Sequence, residues 1–174
     1  SIPVGKGATL TLPDSTDSGR VQGEVTVNGG TFELYGGTIT GGVQVGMKGG
    51  TYQTGSAFTM YGGTISGHNA SSGSGGVFLV GTSNQTDPPS FTMHGGTISN
   101  NTAGASDGGG GGVYVGEKCS FTMDGGTITG NTATAGNGGG IYIHFNAGNV
   151  SISNATVTGN KASATGRTSY GHGG

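Results

Sequence analysis

The chain has 174 residues, the size of one domain, and glycine is its commonest residue with 43 copies, whereas charged residues make up only 8%. Six scattered Lys and Arg residues exclude a basic surface for nucleic acid, and no apolar run approaches the ~20 residues of a membrane-spanning helix. Such a composition is typical of fibrous or disordered chains, but the apolar residues recur regularly and the formal net charge is only -2, which indicates an ordered repeat.

Three regions follow one another along the chain. We predict a single β-helix domain over residues 1–174, or a piece of a longer one, with a lead-in segment at 1–24, repeated coils at 25–162 and an irregular tail at 163–174. Because the chain opens at Ser1 rather than at Met, we expect it to be a processed or excerpted part of a longer protein.

Three short apolar triplets recur in an unchanging order. The first type lies at 25–27, 43–45, 77–79, 113–115 and 141–143. The second type, which includes the repeated Phe-Thr-Met, lies at 32–34, 58–60, 91–93, 121–123 and 150–152. The third type, Thr-Ile-Thr and its variants, lies at 38–40, 64–66, 97–99, 127–129 and 156–158. Alternation of inward and outward residues within each triplet predicts a β-strand, since successive side chains of a strand point to opposite faces.

Three strands per turn, repeated five times, predict an all-β fold: a single-stranded parallel β-helix, or solenoid, of about five three-sided coils. Each strand should pair with its counterparts one coil above and one coil below, about 4.8 Å away. One coil cannot bury its own apolar face, so the fold must be stabilised by stacking of neighbouring coils.

Paired glycines mark the predicted corners. Met60 and Ile65 should both face the core, yet they are five positions apart, so the chain must turn between them and reset its alternation. Glycine permits the positive φ that such a corner demands. The same corner is predicted at Gly29–Gly30, Gly36–Gly37, Gly62–Gly63, Gly95–Gly96 and Gly125–Gly126, and it is replaced by 154–155 in the last coil.

Asparagine recurs directly after the third strand, at Asn101, Asn131 and Asn160, and His68 holds that position in an earlier coil. Asn tolerates turn conformations, and its amide can bond to the copy in the next coil. We interpret these residues as a stacked corner ladder rather than a binding site.

The units GGVYVGEKCSFTMDGGTITGNTA and GGGIYIHFNAGNVSISNATVTGN resemble the parallel β-helix repeats of large bacterial surface proteins, including wall-attached proteins of gut-type Gram-positive bacteria. A looser similarity is to repeats of polymorphic outer-membrane proteins and autotransporter passengers. The opening GATLTLPDSTDSGRVQG is similar to the segment that often leads into such repeats, and the resemblance covers about 8–162. It implies extracellular display, stalk-like geometry and frequent adhesion. Together with the general chirality of parallel crossovers, it predicts a right-handed coil.

Catalytic and metal-binding chemistry has little support in the sequence. Eight acidic residues are present, and no two occupy equivalent positions in adjacent coils, where a catalytic carboxylate pair would meet. His68, His94, His144 and His172 lack metal-ligand spacing, and His94 takes the corner position of Tyr61 and Asp124. We therefore predict no catalytic residue, no metal and no cofactor, and we expect the single Cys119 to be a tolerated thiol near a turn.

Two outward ladders are the candidate binding residues. Phe78, Tyr114 and Tyr142 should form an external aromatic stripe, which can bind sugar rings; alternatively these rings cover one another or lie under a long corner. The second ladder consists of Thr38, Thr64, Thr97, Thr127 and Thr156. Its Thr-x-Thr array resembles the surface of ice-binding solenoids, although Thr is also a common exposed strand residue.

These features favour a non-enzymatic structural or adhesive module of a bacterial cell-surface protein, secreted or displayed outside the cell. Its partner would be a host or bacterial surface glycan or protein, without nucleic acid. A module that binds or cleaves carbohydrate is the alternative, and an ice-binding or fibre-forming stacked solenoid is the third hypothesis. Uncapped coil ends expose strand edges, so end-to-end self-association is a further expectation.

Overall fold

A computed structural model of the chain describes residues 1–14, 19–104 and 109–163. The tail predicted at 163–174 lies outside this range except for Ser163, and so do Asp17, Asp107 and His172. The described residues form strands, turns and bends without a helix, so none of them forms an apolar helix that could cross a membrane.

Three parallel sheets of six strands each build the body of the molecule. Sheet 1 contains Ile2–Gly5, Val25–Asn28, Val43–Val45, Val77–Leu79, Val113–Val115 and Ile141–Ile143. Sheet 2 contains Thr9–Leu12, Thr31–Leu34, Ala57–Met60, Ser90–Met93, Ser120–Met123 and Val150–Ile152. Sheet 3 contains Arg20–Val21, Thr38–Ile39, Thr64–Ser66, Thr97–Ser99, Thr127–Thr129 and Thr156–Thr158. The predicted parallel β-helix is confirmed.

A fourth, shorter parallel sheet follows sheet 3 in the later coils. Sheet 4 contains Asn69–Ala70, Thr102–Ala103, Thr132–Ala133 and Lys161–Ala162. Its alanines point inward, where a small side chain fits beside the core, and the recurring Ala after each ladder position was the overlooked signal for this sheet. One antiparallel pair, Met47–Lys48 with Thr51–Tyr52, stands outside the coils.

The strands stack in the predicted register, identical positions over identical positions. Phe58 pairs with Phe32 on one side and with Phe91 on the other. The rings of Phe32, Phe58, Phe91 and Phe121 form one buried column, with successive centroids 4.9, 4.7 and 5.1 Å apart. Each ring thus fills the space above the one before it, so the core is continuous along the axis.

The lead-in segment contributes a coil of its own, which makes six coils where the triplets indicated about five. Its strands Ile2–Gly5, Thr9–Leu12 and Arg20–Val21 pair with the next coil in all three sheets. Val4 is buried there. The triplet pattern missed this coil because its corners lack the Gly-Gly-Thr signature.

The paired glycines between sheets 2 and 3 serve two different purposes. The second glycine has the predicted positive φ, for example 83° at Gly96. The first approaches the preceding coil so closely that a Cβ on Gly95 would lie 2.5 Å from the Tyr61 carbonyl oxygen. At Gly29–Gly30, between sheets 1 and 2, the order is reversed, since Gly29 has the positive φ of 81°.

The asparagine ladder is confirmed and is buried. The Asn101 Nδ2 donates to the Ile65 carbonyl oxygen of the preceding coil and to the Asn131 Oδ1 of the next, both at 3.0 Å. Asn131 repeats this pattern with Ile98 and Asn160 at 2.9 Å. The backbone amide of His68 donates to the Asn101 Oδ1, as its position in the ladder predicts. The ladder satisfies buried polar groups and leaves none for a ligand.

Candidate functional site

Connection lengths differ sharply around the coil, and the long ones all flank sheet 1. From the second coil onward, sheets 2 and 3 are always joined by 3 residues, and sheets 3 and 4 by 2. By contrast, the connection from sheet 1 to sheet 2 varies from 2 to 11 residues, and the connection leading into sheet 1 varies from 3 to 9. Insertions in repeat proteins collect on one side of the fold, often the binding side. The outer face of sheet 1 is therefore the first place to look for a site.

The predicted aromatic ladder forms the floor of this face. Tyr114 and Tyr142 are stacked, with centroids 5.2 Å apart and planes within 13°. Phe78 is turned by 61° relative to Tyr114, at a centroid distance of 5.1 Å. Stacked rings cover one another's faces, as the alternative interpretation anticipated, whereas Phe78 is rotated out of the stack. All three rings are partly exposed.

The larger of two cavities on this face has a volume of about 360 Å³. Its lining is Glu24, Val43, Gln44, Met47, His68, Ser72, Gly73, Ser74, Gly76 and Phe78. Sheet 1 supplies the floor, the connection at 71–76 supplies one wall, and the hairpin strand Met47–Lys48 contributes to the other. A volume of this size is typical of a small-molecule site.

The smaller cavity, of about 210 Å³, continues along the same face. Its lining is Tyr52, Phe78, Val80, Gly81, Tyr114, Gly116, Glu117 and His144. Because Phe78 borders both cavities, they form one groove across successive coils. We call this the sheet 1 groove.

Several polar groups of the larger cavity are already engaged within the protein. The Ser74 Oγ donates to the Gly110 carbonyl oxygen at 2.7 Å, and the His68 Nδ1 is bonded to the Gly75 carbonyl oxygen. Thr26 donates a long hydrogen bond of 3.5 Å to the Glu24 Oε2. The Gln44 carboxamide and the Ser72 hydroxyl form no hydrogen bond with the described part of the chain. These two groups and the Glu24 carboxylate can therefore bind a ligand.

Burial changes the acidity of two groups near the groove. It raises the pKa of the Tyr114 phenol, with Tyr142 as a smaller cause, so this hydroxyl stays a hydrogen-bond donor at neutral pH. Burial also raises the pKa of the Cys119 thiol from 9.0 to about 12. Since the thiolate is the reactive form, this fully buried cysteine fits the tolerated thiol that the sequence predicts.

The threonine ladder lies on a different face, the outside of sheet 3. Thr64, Thr97 and Thr127 pair in register, with Thr38 before them and Thr156 after them. The regular array is thus present, and its ice-binding role stays a prediction.

Sequence reasoning missed a third outward column at the corner after sheet 2. Tyr35 stacks on Tyr61 at 4.4 Å, Tyr61 stacks on His94 at 5.2 Å, and His94 pairs with Asp124 at 2.8 Å. The signal was the constant position of these residues after each second triplet, where His94 was correctly placed at a corner. An exposed ion pair of this kind adds at most about 1 kcal/mol to stability.

Acidic side chains are dispersed over the described part of the chain. Glu24 lines the larger cavity and Glu117 the smaller one. Within residues 1–14, 19–104 and 109–163, no three His, Cys, Asp or Glu side chains are grouped so that they could hold a metal ion.

Comparisons with known proteins give no further assignment, because no protein family, no curated protein and no solved structure matches the chain significantly.

Proposed function

We propose that this chain is a non-enzymatic adhesive module, displayed on the outside of a bacterial cell, that holds its partner in the sheet 1 groove. The observation that carries the proposal is the confinement of all variable connections to the two borders of sheet 1. The other corners keep a constant length from the second coil onward, as a stacked scaffold requires.

The β-helix itself suits display. Parallel strands in register give a stiff body, and the loops that border sheet 1 can change in length without disturbing the core. An aromatic floor between polar walls is typical of surfaces that bind other molecules. The repeat resemblance to bacterial surface proteins supports the location outside the cell.

Carbohydrate cleavage is the weaker alternative. Glycosidases place two carboxyl groups on either side of the scissile bond, about 5 to 10 Å apart. Here Glu24 and Glu117 line separate cavities with Phe78 between them. The groove thus supports binding better than hydrolysis.

Attachment of protein-coated beads tests the proposal. Beads carrying the chain should attach to at least one of bacterial cells, epithelial cells and mucin, and the double variant Tyr114→Ala/Tyr142→Ala should lose most of this attachment. The matched control is Thr122→Ala/Ser151→Ala, which truncates the equivalent outward positions of sheet 2 in the same two coils. Attachment that survives the tyrosine changes, or no attachment to any of the three surfaces, would contradict the proposal.

A further inference from the structure

The larger cavity combines the chemistry that one sugar ring requires. Phe78, Val43 and Met47 offer an apolar surface to the C–H face of a pyranose, and Glu24, Gln44 and Ser72 offer polar atoms to its hydroxyls. Phe78 is the ladder ring that is turned out of the stack, by 61°. With a volume of about 360 Å³, the cavity suits one or two sugar rings and is far too small for a protein interface, which buries about 800 Å² on each partner.

The charge of the groove restricts the kind of sugar. Each cavity contains one carboxylate, Glu24 or Glu117, and neither described lining contains a Lys or Arg. The two histidines, His68 and His144, are the nearest basic groups, and the His68 Nδ1 is already bonded to a backbone carbonyl. An acidic sugar would therefore meet negative charge without compensation, whereas an amine would meet a charge of opposite sign.

We infer that the Glu24–Gln44–Phe78 end of the sheet 1 groove is a binding subsite for neutral or amine-bearing pyranose units of a glycan, and that it rejects acidic sugars. This inference rests on the proposed adhesive function and names its ligand class. The adjoining smaller cavity accommodates a neighbouring sugar, so the glycan runs across the coils along sheet 1.

Matched trisaccharides test the inference in titration calorimetry with the full chain. The probes are cellotriose, its amine-bearing counterpart glucosamine trimer, galactotriose and trigalacturonic acid. We expect binding of at least one neutral or amine-bearing probe and at least about tenfold weaker binding of the uronic acid. Phe78→Ala should weaken binding about tenfold or more, and Phe78→Leu, which keeps most of the volume, guards against a folding defect.

Glu24→Gln separates the charge effect from the fold. It should abolish any preference for glucosamine trimer over cellotriose and leave cellotriose binding within about threefold. Thr92→Ala, on the outer face of sheet 2, is the control and should change nothing. Beads that attach while none of the four probes binds would overturn this inference alone and point to a protein partner. Binding that is insensitive to Phe78→Ala, or tighter for the uronic acid, would overturn it as well.

Discussion

At the scale of single residues, buried asparagine amides replace the sheet hydrogen bonds that the chain gives up when it turns. The corner after sheet 3 contains two neighbouring asparagines in the fourth coil, and their roles are opposite. Asn100 is exposed and has a positive φ of 54°, the position taken by glycine in the other coils. Asn101 is fully buried and bonds to both neighbouring coils. The same residue type thus serves backbone conformation at one position and polar satisfaction at the next.

This difference predicts the effect of two substitutions. Asn131→Ala should lower the free energy of unfolding by about 3 kcal/mol, because it leaves the Ile98 carbonyl oxygen and the Asn101 amide without partners. Asn100→Gly should change it by less than about 0.5 kcal/mol, since glycine accepts the same φ. Urea denaturation followed by circular dichroism measures both. Equal effects of the two changes would refute the ladder's role in stability.

At the scale of strands and corners, the invariant Gly-Gly pair controls the distance between coils. Parallel strands must lie about 4.8 Å apart, and at the corner this spacing leaves no room for a side chain over the preceding carbonyl. The contact of Gly95 with Tyr61 recurs at Gly125, where a Cβ would lie 2.2 Å from the His94 carbonyl oxygen. The first glycine is therefore needed for space, and the second for its φ.

Alanine substitutions separate these two requirements. Gly67→Ala places a Cβ in open space at a φ of 74°, so it should cost only the conformational penalty of about 1 kcal/mol. Gly95→Ala should cost more, about 2 to 3 kcal/mol, because the Tyr61 carbonyl oxygen cannot move without disturbing the sheet. Gly23→Ala, with neither restriction, is the control. Thermal unfolding ranks the three, and a Gly95→Ala variant as stable as Gly67→Ala would show that the close approach is not limiting.

At the scale of the whole molecule, stability depends on how many neighbours each coil has. Coils in the middle are covered on both sides, and their core side chains are almost completely buried. In the last coil, Ile143, Ile152 and Val157 are 46%, 45% and 42% exposed. A solenoid whose coils contact only their neighbours should therefore loosen from the less covered coil first.

Hydrogen exchange measured by mass spectrometry tests this gradient. Amides of Ser90–Met93 in sheet 2 should exchange at least about 100-fold more slowly than those of Val150–Ile152 in the same sheet, because the former open only when several coils separate. Both segments pair in parallel with the strand Ser120–Met123, which makes them a fair comparison. Uniform exchange along sheet 2 would contradict nearest-neighbour stability.

The sequence alone determined the coil, its register and its core, because the repeat forces equivalent residues into equivalent environments. The column of phenylalanines and the asparagine ladder are visible as constant spacing from residues such as Phe91 and Asn101. Only the tertiary structure decided that the lead-in segment forms a coil, since its pairing partners lie about 20 residues away and carry a different local pattern. It also decided where the groove lies: the connections flanking sheet 1 have no repeat, and which face they border depends on how the coils stack.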